Sequence, residues 1–238
     1  MKITIASVVL NAKNNIEETI LSVTNQTYKN IEYIVIDGES SDGTIDVLKK
    51  HEHKISKLLI EKDKGLYDAM NKVLDLATGD YLIFMNSGDT FVTPYIIEGV
   101  VNSLKNNTAV YYGNVILLNT KEKNASFFGG YFGKHRLCFK NICHQAIFYP
   151  KSLYKTHKYD LTYKILADYM YNISLKAENV QFVYLKTIIS FFELGGLSDI
   201  GDEQVAQNKG KIILNKFGLY YYVYYILKKN IRIRSLIK

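Results

Sequence analysis

Short, continuously apolar runs alternate with helical periodicity through the first 90 residues. Ile3 to Leu10 has the unbroken apolar character of a strand covered on both faces, as in a parallel sheet. Asn14 or Asn15 can cap a helix whose apolar positions Ile16, Ile20 and Val23 fall at i, i+4 and i+7. Tyr33 to Ile36 is a second strand, and the Ser40–Thr44 stretch after it offers cap residues for a helix through Lys50. Leu58 to Ile60 reads as a third strand. The helix after Gly65 has the clearest face, formed by Leu66, Ala69, Met70, Val73, Leu74 and Ala77, and Tyr81 to Met85 is a fourth strand. Single helices between strands imply right-handed crossovers, so the expected fold is α/β, a mostly parallel central sheet flanked by helices.

The pattern is less regular beyond residue 90. Ala109 to Leu118 reads as a strand, and Ser126 to Gly133, aromatic and glycine-rich, as a loop. His144 to Tyr149 reads as a short strand stopped by Pro150. Ile165 to Leu175 reads as a helix with Asp168 near its start, and Phe182 to Phe192 as a strand running into Glu193-Leu194-Gly195-Gly196-Leu197-Ser198. No repeat or low-complexity linker intervenes, which predicts one body over 1–203 and a helical tail over 204–238.

Charge sharpens that division. The net charge is +7, yet no acidic residue follows Glu203 while eight basic ones do, from Lys209 to Lys238. The body is nearly neutral, which argues against a nucleic-acid-binding module. Phe217 to Leu227 holds five tyrosines, followed by K-K-N-I-R-I-R. Tyrosines with a basic flank suit an anionic membrane surface, and a helix packing its tyrosines on the body is the competing reading for 217–238. Met1–Asn11 lacks a cleavage signal and reads as a strand, and no run of 18 apolar residues occurs. The expected location is cytoplasmic, peripheral at the inner face of the membrane. Cys138 and Cys143 are too few for a disulfide scaffold or a four-thiolate zinc site.

Ligands of an open parallel sheet lie beyond the carboxyl ends of its strands. Here those ends are Asn11-Ala12, Asp37 to Glu39, Glu61 to Lys64, and Asn86 to Asp89. Asp68, Asn71 and Lys72 lie off the apolar face of the helix after Gly65. P-loop, dinucleotide-binding and G-x-S-x-G signatures are all missing. His51-Glu52-His53 reads as a solvated helix end. A nucleoside diphosphate normally binds through a divalent cation with hard oxygen ligands. Asp89 fits that role, and Asp37 or Asp63 is placed to accept hydrogen bonds from a base or ribose. Each acid alone also reads as a helix cap or turn acid.

Taken in order, S-V-V-L-N, then S-V-T-N-Q-T-Y-K-N-I-E-Y-I-V-I-D-G-E-S-S-D-G-T, E-K-D-K-G-L-Y-D-A-M-N-K and A-T-G-D-Y-L-I-F-M-N-S-G-D resemble the family 2 glycosyltransferases of the GT-A fold. Within that family they are most similar to bacterial enzymes of exopolysaccharide or O-antigen synthesis. The resemblance is dense over the first 90 residues and weaker through H-Q-A-I-F-Y (144–149), A-D-Y (167–169) and G-G-L-S (195–198). It implies a nucleotide-sugar-binding half over 1–90 and an acceptor and catalytic half over 91–203. The donor would be a UDP-, dTDP- or GDP-sugar, and the acceptor a saccharide or lipid-linked saccharide.

The resemblance also implies roles. Asn11, Asp37, Glu39, Asp63, Lys64, Asp68, Asn71, Ser87 and Gly88 would hold the donor. Asp89 would bind Mg²⁺ or Mn²⁺, and Asp168 would be the catalytic base. His144 and Gln145 would line the donor or acceptor side, and Gly195-Gly196 would be a hinge or a plain turn. In this chain Gly38 stands where many members carry a second acid, and Asn86-Ser87-Gly88 leaves Asp89 as the one acid of the metal motif. Inverting transfer is a single displacement, so one base suffices to activate the acceptor hydroxyl. The competing enzyme reading, a sugar nucleotidyltransferase, lacks its glycine-rich phosphate loop after the first strand.

Overall fold

The parallel half of the sheet forms as the apolar pattern predicts. The computed structural model describes residues 1–119, 122–196 and 203–236, with the backbone alone for 203, 204 and 232–236. Leu197 and Ser198 lie outside the described residues. In chain order the first elements are β1 (Ile3–Val9), α1 (Ile16–Thr24), β2 (Ile31–Asp37), α2 (Thr44–Lys50), β3 (Lys57–Ile60), α3 (Leu66–Leu76) and β4 (Tyr81–Phe84). The edge strand β5 (Thr90–Phe91) and α4 (Ile96–Val101) follow. The second half contains β6 (Val110–Asn119), β7 (Asn124–Phe128), α5 (Lys134–Leu137), β8 (Ile147–Pro150), α6 (Lys151–Tyr154), α7 (Ala167–Ala177) and β9 (Phe182–Glu193). Two helices, α8 (Glu203–Phe217) and α9 (Leu219–Leu236), end it.

Among the described residues one sheet runs in the order β3-β2-β1-β4-β8-β6-β9-β5, with β7 paired to β6. β3, β2, β1 and β4 are mutually parallel. β8 enters antiparallel between β4 and β6, and β6 and β9 are parallel again. The side-chain period of two divides the core between the faces. Ile3, Ile5 and Val9 of β1 join α1 and α4 on one side, while Ala6 and Val8 join α3 and α7 on the other.

Three local expectations change. Residues 124–128, expected to be partly loop, form β7. Asn124 to Phe127 are exposed and Phe128 is partly buried, so no period marks the strand, and the neighbouring glycines read as loop. His144–Ala146 is a 3₁₀ turn, and strand begins only at Ile147. His51 is buried rather than solvated, its Nε2 lying 2.8 Å from Glu17 Oε1. The tail is two helices broken at Gly218, whose φ of 88° ends α8 in the left-handed region. Val205 of α8 joins the main core, and Tyr225 of α9 is buried with Cys138 and Ile213.

Candidate active site

The β1–α1 and β2–α2 loops fasten each other at the carboxyl edge of the sheet. Asp37 accepts from the Ser40 N–H (2.8 Å) and the Ser40 hydroxyl (2.7 Å). Ser40 Oγ accepts from the Asn11 N–H (2.7 Å), and Asn11 Oδ1 accepts from the Ser41 N–H (2.9 Å). Asn11 and Glu39 both hold positive φ, 52° and 63°. Backbone of this kind persists only where surrounding bonds over-determine it, and it concentrates at ligand sites. At the third strand end Asp63 accepts from the Gly65 N–H and Asp68 from the Lys64 N–H, both at 2.9 Å. These bonds order the loop that leads into α3, and the helix N-terminus lies at the same edge. A Cβ on Gly38 would stand 2.7 Å from Asp63 Oδ2, so the glycine in place of a second acid is what lets the Asp63 carboxylate lie there.

The N-S-G-D turn is held by α1. Thr19 Oγ1 accepts from the Gly88 N–H (3.1 Å) and donates to the Asp89 carbonyl (2.9 Å). Gly88 needs its φ of 92°, and a Cβ there would meet Glu193 Oε2 at 2.9 Å. Asp89 is 4% exposed. Its carboxylate accepts from Gln145 Nε2 (2.8 Å) and the Glu193 N–H (3.3 Å). Burial pushes this carboxyl up to about 7, against the influence of His144 and those two donors, while the Glu193 carboxylate adds to the rise.

The side of the cavity around Asp168 is built on α3 and α7. Asp168, in the first turn of α7, accepts from Tyr67 Oη at 3.0 Å and from Asn141 Nδ2 at 2.8 Å. The one Tyr67 hydroxyl proton is shared between Asp168 and the Ile165 carbonyl. Burial, then the Asp168 charge, raises the Tyr67 phenol far above its ordinary range, so it is a donor here and not an acid. His144 lies between the two carboxylates, its Nε2 3.0 Å from Asn86 Nδ2 and its Nδ1 3.7 Å from Asp168 Oδ2. Burial, then Asp168 and Asp89, also raises the Cys143 thiol, which stays protonated.

These groups share one cavity of about 890 Å³, roomy enough for a nucleotide and a sugar. It brings together the expected Asn11, Asp63, Ser87, Asp89, His144, Gln145, Asp168 and Gly196. Asp37, Glu39, Lys64, Asp68, Asn71, Gly88 and Gly195 do not line it. Asp37 is fully buried with both oxygens engaged, so it orders the Asn11 loop. The Asn71 amide is held by the backbone of Tyr159 on both its oxygen and its nitrogen. Sequence reasoning missed Lys13, Tyr67, Lys140, Asn141 and Glu193, which do line it. Only Tyr67 carried a signal, as a polar-tipped residue one position into α3.

Oxygen donors gather at the N-S-G-D end. Ser87 Oγ is buried with no hydrogen-bond partner, beside Asp89 and near the Glu193 carboxylate. Hard oxygens with an uncompensated buried carboxylate suit a divalent cation. Among the described residues no three His, Cys, Asp or Glu side chains are close enough to hold a metal by themselves. A cation here therefore requires further ligands, as diphosphate oxygens would provide.

The fold is that of the GT-A glycosyltransferases. S. aureus TarS 1–349, solved with UDP-GlcNAc, is 15% identical and superposes with a TM-score of 0.71 over 91% of this chain and 67% of its own. The Pyrobaculum calidifontis mannosyltransferase PcManGT, solved with GDP-Man and Mn²⁺, is also 15% identical. It gives 0.61 over 80% of this chain and 56% of its own. Residues 4–166 match the model described as Glycosyl transferase family 2, and the chain belongs to that family. A PGL/p-HBAD biosynthesis glycosyltransferase of Mycobacterium tuberculosis is 36% identical over 188 residues, 75% of this chain and 72% of the relative. The UDP-Glc:alpha-D-GlcNAc-diphosphoundecaprenol beta-1,3-glucosyltransferase WfgD of Escherichia coli is 32% identical over 133 residues, 56% of this chain and 51% of the relative. Family membership decides against the sugar nucleotidyltransferase alternative. Among the described residues no helix is long and apolar enough to cross a membrane.

Proposed function

We propose that this glycosyltransferase moves a sugar from a nucleoside diphosphate to an acceptor hydroxyl, with inversion at the anomeric carbon. The placement of Asp89 and Asp168 on one cavity, with His144 between them, carries the reading. The β1–β3 ends, Asn11 and Asp63 receive the nucleoside, and the α3 N-terminus faces its phosphates. Asp89, Ser87 Oγ and Glu193 would hold Mg²⁺ or Mn²⁺, which when bound offsets the charge growing on the leaving diphosphate. Asp168 takes the proton of the acceptor hydroxyl as that oxygen attacks. Its partners, Tyr67 and Asn141, are neutral donors that orient the carboxylate.

The acceptor side is walled by Leu117, Phe128, Ile142 and Phe192, with the exposed Lys140 at its edge. An apolar wall beside a cation suits an amphipathic acceptor with an anionic linkage, as in a lipid-linked saccharide of bacterial surface glycan synthesis. The WfgD relative's diphosphoundecaprenol acceptor supports this class. The exposed face of α9, with Lys228 and Lys229, would lie on an anionic leaflet at the cytoplasmic side.

Thermal stabilisation by UDP-, GDP- and dTDP-sugars with Mn²⁺ tests the reading. One nucleotide class is expected to raise the melting temperature, and its sugar to be transferred to a lipid-diphosphate-linked saccharide. Asp168→Asn should keep the thermal shift and lose transfer by about 10²- to 10⁴-fold. Transfer retained by this variant removes Asp168 from the role of base.

A further inference from the structure

Behind Asp168 lies a chain of hydrogen bonds that ends on its carboxylate. Tyr149 Oη on β8 donates to Asn172 Oδ1 at 2.8 Å. Asn172 Nδ2 donates to Asn141 Oδ1 at 3.0 Å, and Asn141 Nδ2 donates to Asp168 Oδ2 at 2.8 Å. Every bond has the same sense, from phenol to carboxylate, because each amide accepts at its oxygen and donates from its nitrogen. Burial keeps the Tyr149 phenol protonated, far above its ordinary range, so the chain begins on a donor. Asn172 stands four residues after Asp168 on α7, on the same face of the helix. It is fully buried in a stretch whose Tyr171, Ile173 and Leu175 all join the core, where an apolar side chain would serve packing alone.

We infer that Asn172 and Tyr149 are positioning residues for sugar transfer: through Asn141 they fix the Asp168 carboxylate in the orientation that meets the acceptor hydroxyl. The inference rests on Asp168 being the base. Tyr67 is the weaker anchor. Its single hydroxyl proton is divided between Asp168 Oδ1 and the Ile165 carbonyl, whereas Asn141 Nδ2 has Asp168 as its one acceptor among the described residues. Asn141 lies in the loop after α5, half-buried on the cavity wall, and an amide there needs a partner that fixes which end it turns to Asp168. Asn172 is that partner, and Tyr149 in turn fixes Asn172. The far end of the chain is rooted in the sheet. Tyr149 pairs with Leu82 of β4, the strand that runs on into Asn86-Ser87-Gly88-Asp89. The base is thereby held in register with the strand that carries the metal motif. Each Asp168 oxygen accepts one of these bonds and retains a lone pair for the acceptor proton.

A double-substitution cycle on the full chain separates positioning from packing. Transfer is measured to a lipid-diphosphate-linked saccharide, from whichever of the UDP-, GDP- and dTDP-sugars raises the melting temperature with Mn²⁺. Asn172→Leu breaks the chain and leaves the Tyr149 phenol buried without its acceptor. It should lower the melting temperature, and it should lower kcat by about 10- to 100-fold with the donor KM unchanged. Adding Tyr149→Phe removes the orphaned phenol. The double variant should regain most of the lost stability while kcat stays at the level of Asn172→Leu. Its crystal structure, solved without substrate, should show the Asp168 carboxylate turned from its wild-type orientation. A kcat that recovers together with stability makes the chain a packing device and overturns the inference, and so does an unmoved carboxylate. If the double variant fails to fold, Asn141→Ala decides, since that loop position is only half-buried. It should lower kcat by a similar factor with little change in melting temperature, and an unchanged kcat overturns the inference. Transfer kept by Asp168→Asn would refute the base assignment. Transfer lost by Asp168→Asn but kept by the double variant would refute this inference alone.

Discussion

Asp89 shows how a single residue can be wrong for stability and right for function. Burial of this carboxylate, with the Glu193 acid beside it, outweighs His144 and the two hydrogen-bond donors and favours its protonated form. Because its folded value, about 7, exceeds the ordinary 3.8, the folded chain binds that proton more tightly than the unfolded chain. Stability should therefore fall as pH rises across this window and stay reduced above it. Asp89→Asn removes the ionisation, so the nucleotide-free variant should resist urea better than wild type at pH 8, with the gap narrowing as pH falls and closing only near the ordinary value, 3.8. A nucleoside diphosphate with Mn²⁺ should reverse that order. Equal urea midpoints at pH 8 would mean that the carboxylate ionises there without penalty. Position in the motif was enough to bring Asp89, Asp168, His144 and Gln145 to one cavity from the sequence. Asn71 was misread because its partner, Tyr159, lies 88 residues away, and nothing local records a backbone bond of that range. Glu193 was missed for the same reason, since β9 reaches Asp89 only through sheet pairing.

At the scale of elements, the edge of the sheet opposite the cavity is stapled by one carboxylate. Glu32 on β2 accepts from Thr4 Oγ1 on β1 (2.7 Å), and from the N–H and hydroxyl of Thr78 in the turn before β4 (2.8 Å each). Lys57 on β3 lies 3.2 Å away. Burial is the largest single influence on Glu32 and pushes its carboxyl up. The Thr78, Thr4 and Lys57 bonds together outweigh it and bring the group down to about 2. For a depressed acid the stabilisation is present above the ordinary value, 4.5, and is lost as pH falls toward 2. Glu32→Gln should lower the urea midpoint at pH 7 and flatten its acid dependence over that window. An unchanged midpoint would show that the four strands hold their register without this group. Elements with one dominant period were legible in the sequence, as in β1, α3 and β4. β7 was not, because the glycines beside it read as loop while its pairing with β6 is a property of the partner strand.

At the scale of the molecule, α9 answers both readings of the tail with different faces. Tyr225 is buried against the body, and Tyr221 and Tyr222 pack partly on it. Tyr220, Val223, Leu227 and Ile231 recur at helical spacing and are all exposed, with Leu227 at 59% and Ile231 at 60%. Lys228 and Lys229 are also exposed beside this stripe. The inner face packs on α5, where His135 meets the rings of Tyr221 and Tyr224, and just beyond α5 Lys140 lies over Phe128 at the cavity wall. A leaflet under α9 would therefore lie close to the apolar wall proposed for a lipid-linked acceptor. Deleting the tail would also strip Tyr225 from the core, so substitutions on the outer face give the cleaner test. Val223→Glu with Leu227→Glu should leave the melting temperature within a few degrees of wild type. The pair should weaken binding to phosphatidylglycerol vesicles by at least about tenfold, since burying each apolar side chain contributes about 1.5–3 kcal/mol. Neutral phosphatidylcholine vesicles should bind the wild type less, each nearby Lys adding about 1 kcal/mol on an anionic surface. Unaltered vesicle binding by the double variant would take the membrane away from this face and leave α9 as a packing element alone.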